Sequence, residues 1–267
     1  MSTLFNDHTP RDDGTAIELG PERASRRLVL LHGWGADADD LLDLGLELLP
    51  LTGLSAAEQA QVSLVALRAP LPHPGGMGRQ WYDLQQPEWP QLAAARVQLR
   101  ERLIGLGASV PLQRTALLGF SQGAAMALDV ATGGGGEGAD AGGAAGDGRV
   151  GAQPDHGRPA RGALPLAALI ACSGYPHPDW QPQPLEADPH QAPTTKFLLT
   201  HGEQDPVVPF AASVELERLL KTTGRTVQRL GFSGGHGIDP TLLGAMGAFL
   251  AAGWQQTAAG GTPAAES

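Results

Sequence analysis

The sequence predicts a single α/β domain with a mainly parallel central sheet and helices on both faces. Three observations lead to this prediction. Short apolar segments typical of buried strands alternate along the chain with segments of helical composition. Polar residues gather directly after several of the strand segments. The length of 267 residues suits one large domain. In folds of this class ligands bind at the carboxyl ends of the strands, so the functional residues are expected there.

Apolar runs, helix formers and capping residues place the individual elements. An aspartate, Asp37 or Asp39, is positioned to cap the first helix, whose leucines form a broad buried face. A helix also follows the glycine-rich turn at 119–123, where strong helix formers begin. The predicted strands are 26–31, 62–67, 115–118, 166–171, 196–200 and 226–230, with 15–19 as an added antiparallel edge strand, and further helices are predicted at 91–106, 211–221 and 241–251.

Composition changes mark the expected limits of the domain. We expect one domain over 14–254, preceded by a flexible N-terminus at 1–13 and followed by a flexible tail at 255–267. Between 133 and 162 Gly and Ala dominate and no apolar periodicity is present. Such a segment buries too little apolar surface to offset its ordering entropy, which predicts a flexible surface insertion.

Charge and cysteine content narrow the functional class. The net charge is −10 and no basic run exceeds Arg26-Arg27, which argues against nucleic-acid binding. No apolar stretch reaches the ~18 residues that span a bilayer, and the first residues lack the pattern of a signal peptide. We therefore expect a cytoplasmic protein. The single cysteine, Cys172, excludes an intrachain disulfide and ends an apolar segment, which favours a buried structural thiol over a nucleophile.

The most informative motif is Gly119-Phe120-Ser121-Gln122-Gly123, which has the form G-x-S-x-G. A strand segment precedes it and helix formers follow it, as in a nucleophile elbow that presents a serine hydroxyl out of a sharp turn. The two glycines fit a turn that leaves no room for a β-carbon and that needs unusual backbone angles. Ser121 is the candidate nucleophile.

A serine nucleophile needs a base and an acid, and both are expected downstream in loops after strands. His236 lies among glycines after the last predicted strand, which makes it the candidate base. Asp205 follows the strand at 196–200 in an Asp-Pro turn and is the candidate acid, with Glu203 as the alternative.

Two backbone N–H groups are candidates for stabilising an oxyanion. The Gln122 amide follows the nucleophile at a helix N-terminus, and the Trp34 amide lies in His32-Gly33-Trp34-Gly35 after the first parallel strand. The alternative for the second segment is a purely structural turn. No metal-binding spacing and no phosphate-binding glycine motif occurs, so we expect neither a metal nor a nucleotide cofactor.

Five blocks of this chain resemble the small carboxylesterase, phospholipase and acyl-protein thioesterase family of α/β-hydrolases. They are 30–37, 68–70 with 81–83, 119–128, 173–175, and 201–209 with 235–236. The resemblance implies an α/β-hydrolase fold without a large lid domain. It also implies hydrolysis of esters or thioesters without a cofactor, with Ser121, Asp205 and His236 as the triad and Trp34 and Gln122 as oxyanion donors.

The sequence departs from the family at two places, the insertion at 133–162 and Trp34, where several relatives carry leucine. The Trp34 ring is expected to alter the adjacent acyl pocket, whose wall we assign to the loop 70–81. Within that loop Trp81 either faces the substrate or packs in the core.

The expected substrate is a small molecule or an acylated protein, and the expected assembly is a monomer or a homodimer. The alternative activity is that of an acyl-protein thioesterase or lysophospholipase acting on long acyl groups. A binding module without catalytic activity is the third reading.

Overall fold

An eight-stranded central sheet organises the protein in a computed structural model that describes residues 9–134, 162–185 and 195–259. A separate two-stranded hairpin, β5 and β6, lies outside this sheet. The strands are β1 (Arg11–Asp12), β2 (Ala16–Leu19), β3 (Arg26–Leu31), β4 (Val62–Leu67), β5 (Leu71–Pro72), β6 (Arg79–Gln80), β7 (Thr115–Phe120), β8 (Ala168–Cys172), β9 (Lys196–Gly202) and β10 (Val227–Phe232).

The strand order of the sheet is β1-β2-β4-β3-β7-β8-β9-β10, and the six strands from β4 to β10 in this order are parallel. Each strand predicted from the sequence is present within two residues at either end. The segment at 15–19 pairs antiparallel with β4 as expected. It is not the edge, because β1 pairs with its other side. The predicted mainly parallel sheet is confirmed.

Helices cover both faces of this sheet, as predicted. Buried residues of α3, α4 and α5 form one core with one side of the strands, and those of α1 and α6 form a second core with the other side. Within the described residues no separate lid domain is present. The helices are α1 (Leu42–Leu51), α2 (Ala56–Gln59), α3 (Leu92–Leu106), α4 (Gln122–Thr132), α5 (Ala211–Thr222) and α6 (Leu243–Ala259).

The first helical segment begins with a short 3₁₀ turn at Ala38–Leu41, and Asp37 is its cap. The Asp37 carboxylate accepts the Ala38 N–H at 2.7 Å, and the Asp40 carboxylate accepts the Asp37 N–H at 2.6 Å. This reciprocal pair satisfies two N–H groups at the start of the turn. Of the two predicted caps, Asp37 is therefore the one used.

The segments expected to be flexible lie largely outside the residues that the structure describes. Most of the insertion at 133–162 lies outside the described residues, as do residues 1–8 and 260–267. At the C-terminal limit, α6 continues to Ala259, five residues beyond the boundary expected at 254. Near the N-terminus, β1 begins at Arg11, inside the segment expected to be flexible.

The strand β7 and the helix α4 meet at a turn with no space for additional atoms. A β-carbon built on Gly123 would lie 2.1 Å from the Leu31 carbonyl oxygen and 2.6 Å from that of His32. A β-carbon on Gly119 would lie 2.6 Å from the Ala124 Cα atom. Neither glycine has a positive φ. The expected crowding is therefore present, but the unusual backbone angles expected at these glycines are not.

We predict that Gly123→Ala destabilises the protein, because the added methyl group overlaps the end of β3. Overpacking of this kind costs about 3 kcal/mol or more. In a chain of this size that cost lowers Tm by at least about 6 °C. The matched control is Gly105→Ala in α3, where a β-carbon meets no atom within 4 Å and should stabilise the helix by about 0.5–1 kcal/mol. Thermal denaturation followed by circular dichroism measures both. Equal Tm values for Gly123→Ala and the wild type would contradict the packing argument.

Candidate active site

Ser121 occupies the turn between β7 and α4 in a strained conformation. Its φ of 53° and ψ of −116° lie in a region that non-glycine residues rarely adopt. Its own N–H donates to the Cys172 carbonyl at 2.9 Å, which ties the turn to the end of β8. The unusual backbone angles expected at the neighbouring glycines are therefore found at the serine itself.

His236 and Asp205 form a hydrogen-bonded chain with Ser121. The His236 Nε2 atom lies 3.0 Å from Ser121 Oγ, and its Nδ1 atom lies 2.7 Å from Asp205 Oδ2. Since a carboxylate only accepts hydrogen bonds, Nδ1 carries the proton and Nε2 accepts the serine O–H. The structure thus brings the three predicted residues together in the order acid, base and hydroxyl.

The Asp205 carboxylate is held as an anion. Burial raises its pKa, but the hydrogen bond with His236 and those from the Val208 and Val207 N–H groups outweigh burial and leave the pKa below its ordinary value. The two N–H donors lie 2.9 and 2.8 Å from Asp205 Oδ1. Glu203, the alternative acid, is exposed and is not hydrogen-bonded to His236 in the described chain.

Backbone packing fixes the base relative to the acid. A β-carbon on Gly202 would lie 2.2 Å from the Gly235 carbonyl oxygen, so the end of β9 touches the loop that carries His236. The Gln204 N–H donates to the Gly234 carbonyl at 2.9 Å across the same contact. The Phe120 ring packs on the imidazole with ring centroids 4.9 Å apart. These contacts restrict the imidazole from several sides.

His32 is a buried neutral residue that supports the loop after β3. The Ala69 N–H donates to its Nε2 atom at 3.1 Å, so its Nδ1 atom carries the proton and donates to the Gly33 carbonyl at 2.8 Å. Burial lowers the pKa of the imidazole, which favours this neutral form. This geometry gives His32 a structural role in the loop.

The segments with the two predicted oxyanion donors both lie next to Ser121. Gln122 is the first residue of α4, where an N–H has no intrahelical acceptor. Gly33 lies against Ser121, since a β-carbon built on it would be 3.4 Å from Ser121 Cβ. Trp34 follows Gly33 directly. The backbone of both donors is therefore placed at the turn that carries the hydroxyl.

Trp34 and Trp81 lie in different environments. The Trp34 indole N–H donates to Gln80 Oε1 at 2.8 Å, and its ring lies edge-on to His73 with centroids 4.2 Å apart. Both partners belong to the hairpin of β5 and β6, which the sequence had predicted as a loop. Trp81 is only 1% exposed and packs in the core. The expectation that Trp81 faces the substrate is therefore wrong, and the alternative of core packing holds.

A buried polar network beside the site was missed by sequence reasoning. The Tyr82 hydroxyl lies 2.6 Å from that of Tyr175 and 2.8 Å from His177 Nε2. His177 Nδ1 is 2.7 Å from an Asp129 oxygen that also accepts from Arg96 Nε at 2.6 Å. Burial raises the pKa of both tyrosines, that of Tyr175 to about 12, so they remain neutral donors. No local pattern marks these residues, because they are distant in sequence.

Cys172 is fully buried at the end of β8, as predicted for a structural thiol. Burial raises the pKa of the thiol to about 12, which suppresses the reactive thiolate. The Cys172 carbonyl instead anchors Ser121 through the hydrogen bond described above.

The described residues lack the features of two other kinds of site. They contain no group of three or more His, Cys, Asp or Glu side chains arranged to hold a metal ion. None of the helices in the same ranges combines the length and apolar character needed to cross a membrane.

Comparisons with known proteins agree with the geometry. A family model described as phospholipase/carboxylesterase matches residues 12–133. A second model, described as serine hydrolase (FSH1), matches residues 108–242, just over half of the chain. No curated protein matches the chain at a significant level.

Solved structures of similar fold include several esterases. Esterase PE8 is 26% identical, with a TM-score of 0.63 over 88% of this chain and 97% of that one. The Bacillus cereus carboxylesterase is 16% identical, with a TM-score of 0.64 over 91% and 96% of the two chains. A phospholipase/carboxylesterase from Dyadobacter fermentans is 18% identical, with a TM-score of 0.59 over 91% and 97%. The similarity of this chain to the last two structures concerns the fold alone.

The resemblance noted in the sequence is confirmed by the family matches and the fold. The chain belongs to the serine hydrolases (FSH1), whose model matches just over half of it, while residues 12–133 match the phospholipase/carboxylesterase model; the fold is that of the α/β-hydrolases.

Proposed function

We propose that this protein hydrolyses carboxylic esters or thioesters through an acyl-enzyme on Ser121. The observation that carries the proposal is the hydrogen-bonded chain from Asp205 through His236 to the Ser121 hydroxyl. A serine hydroxyl is a weak nucleophile until a neighbouring base takes its proton, and His236 Nε2 is within hydrogen-bond distance to do so.

The first half of the reaction forms the acyl-enzyme. Ser121 Oγ attacks the substrate carbonyl carbon while its proton moves to His236 Nε2. The carbonyl oxygen becomes an anion, which the amides of Gln122 and Trp34 stabilise by hydrogen bonds. As the tetrahedral intermediate collapses, the bond to the alcohol or thiol breaks and His236 gives its proton to that leaving group.

The second half releases the acid. Water takes the place of the leaving group, gives a proton to His236 and attacks the acyl carbon. The bond to Ser121 Oγ then breaks, and the proton returns from His236 to the serine. Asp205 remains ionised throughout, holding the Nδ1 proton in place and stabilising the imidazolium that forms twice in each cycle.

Support for a small acyl group comes from Trp34. Its indole donates to Gln80 and lies edge-on to His73 of the hairpin, while its own backbone N–H is the proposed second oxyanion donor. We infer that a ring of this size leaves less room for an acyl group next to the reacting carbonyl. The alternative is an acyl-protein thioesterase or lysophospholipase acting on long acyl groups. A third possibility is a binding module without catalytic activity, and the intact Ser–His–Asp geometry argues against it.

We predict that Ser121→Ala lowers hydrolysis of p-nitrophenyl butyrate by about 10⁴-fold or more, because the members of such a triad act as a unit. The control is Ser109→Ala. Ser109 precedes β7 whereas Ser121 follows it, so the two serines lie at opposite ends of that strand. Steady-state kinetics on both folded variants measures the effect. Wild-type activity in Ser121→Ala would refute the mechanism.

We predict that activity is highest on short acyl chains and that esters and thioesters of equal chain length follow the same trend. The reason is the room taken by the Trp34 ring. A series of acyl chains from two to sixteen carbons, with matched ester and thioester leaving groups, measures kcat/KM. A rate that rises with chain length, most strongly for thioesters, would contradict this prediction and favour the acyl-protein thioesterase alternative.

A further inference from the structure

The side chain of Gln122 is polar yet fully buried beside the nucleophile. Both the oxygen and the NH₂ group of its side-chain amide form hydrogen bonds with the backbone of two consecutive residues, Trp81 and Tyr82. Its Oε1 atom accepts the Trp81 N–H at 2.9 Å, and its Nε2 group donates to the Tyr82 carbonyl at 2.8 Å. The start of α4 is thereby clamped to the segment that follows the hairpin. A buried amide with both ends paired contributes rigidity as well as stability.

Trp81 extends this clamp to the loop after β3. Its indole N–H donates to the His32 carbonyl at 2.9 Å. His32 is two residues before Trp34, the proposed second oxyanion donor. One continuous connection, from Gln122 through Trp81 to His32, therefore links the two segments that supply the proposed donors.

The loop after β3 needs such an outside restraint. Gly33 and Gly35 flank Trp34, and Gly35 has a φ of +80° that only glycine adopts without strain. A peptide group between two glycines has wide conformational freedom unless other contacts fix it. Within the loop, the peptide that carries the Trp34 N–H is tied to the His32 side chain, whose Nδ1 donates to the Gly33 carbonyl at 2.8 Å, and the Gly35 N–H donates to the Arg79 carbonyl at 2.9 Å. The orientation of the Trp34 N–H therefore follows the position of His32, whose carbonyl accepts the Trp81 indole N–H.

We propose that Gln122 and Trp81 are positioning residues, whose side chains hold the two oxyanion donors in a common orientation. The proposal rests on the proposed function, since it concerns the oxyanion of the same reaction. Donors that are already oriented stabilise developing charge without reorganisation, and loss of one donor costs about 10²–10³-fold in rate. Loosening both donors without removing either should cost less, about 10- to 100-fold.

The test compares Trp81→Phe with Trp180→Phe. Each change removes one indole N–H from a buried tryptophan at one end of α4. The Trp81 indole N–H donates to the His32 carbonyl, which lies beside the start of α4. The Trp180 indole N–H donates to Thr132, the last residue of α4, at 3.1 Å. The two variants therefore lose similar hydrogen bonds and similar stability. Only Trp81 is connected to the proposed donors.

Two measurements separate positioning from general stability. The first is kcat/KM on p-nitrophenyl butyrate. The second is the inhibition constant of an alkyl trifluoromethyl ketone, whose carbonyl carbon bonds to Ser121 Oγ while the serine proton moves to His236 and the ketone oxygen becomes the oxyanion. For Trp81→Phe we expect kcat/KM to fall by about 10- to 100-fold and the inhibition constant to rise by the same factor. For Trp180→Phe we expect less than about 2-fold change in either.

Equal effects of the two variants, or a fall in kcat/KM without weaker ketone binding, would overturn the proposal. If Trp81→Phe does not fold, Gln122→Met decides by the same measurements, because it removes both side-chain hydrogen bonds and keeps the backbone amide. Failure of the proposed function gives a different result, in which the ketone does not inhibit the wild type and Ser121→Ala keeps its activity.

Discussion

The hydrogen-bonded chain of Asp205, His236 and Ser121 is the interaction on which the rest of the site depends. Its two contacts, of 2.7 and 3.0 Å, join three loops that follow β9, β10 and β7. Small shifts of any loop would break a hydrogen bond of this length. The parallel sheet brings the three loops to one edge. Close backbone contacts, at Gly123 for the turn of Ser121 and at Gly202 for the loop of His236, then set their relative positions.

This arrangement has an energetic cost that the fold compensates. A residue held at the backbone angles of Ser121 costs on the order of 1–3 kcal/mol and persists only where its surroundings determine it. Here β7 is buried between β3 and β8, and every residue of α4 is buried. The strain raises the hydroxyl out of the turn toward His236. The strained turn therefore lowers stability locally and fixes the position of the proposed nucleophile, while α4 and β7 supply the packing that maintains it.

The sequence predicted most of the fold and the three central residues because their signals are local. Apolar runs identify the strands, and glycine-rich turns directly after them identify Ser121 and His236. The hairpin of β5 and β6 was missed because Pro72 and the nearby glycines read as a loop. The hydrogen bonds of Trp81 with Gln122 and His32 were missed for another reason. Its partners Gln122 and His32 lie 41 and 49 residues away, and no single-sequence pattern encodes such contacts.

The most direct test of the central claim is to locate the adduct of a fluorophosphonate, which reacts with a serine activated by a neighbouring base. Peptide mapping by mass spectrometry after labelling of the native protein should find one adduct per chain, on the peptide that contains Ser121. The same reagent should leave Ser121→Ala unlabelled. An adduct on another residue, or no adduct on the folded active protein, would contradict the account.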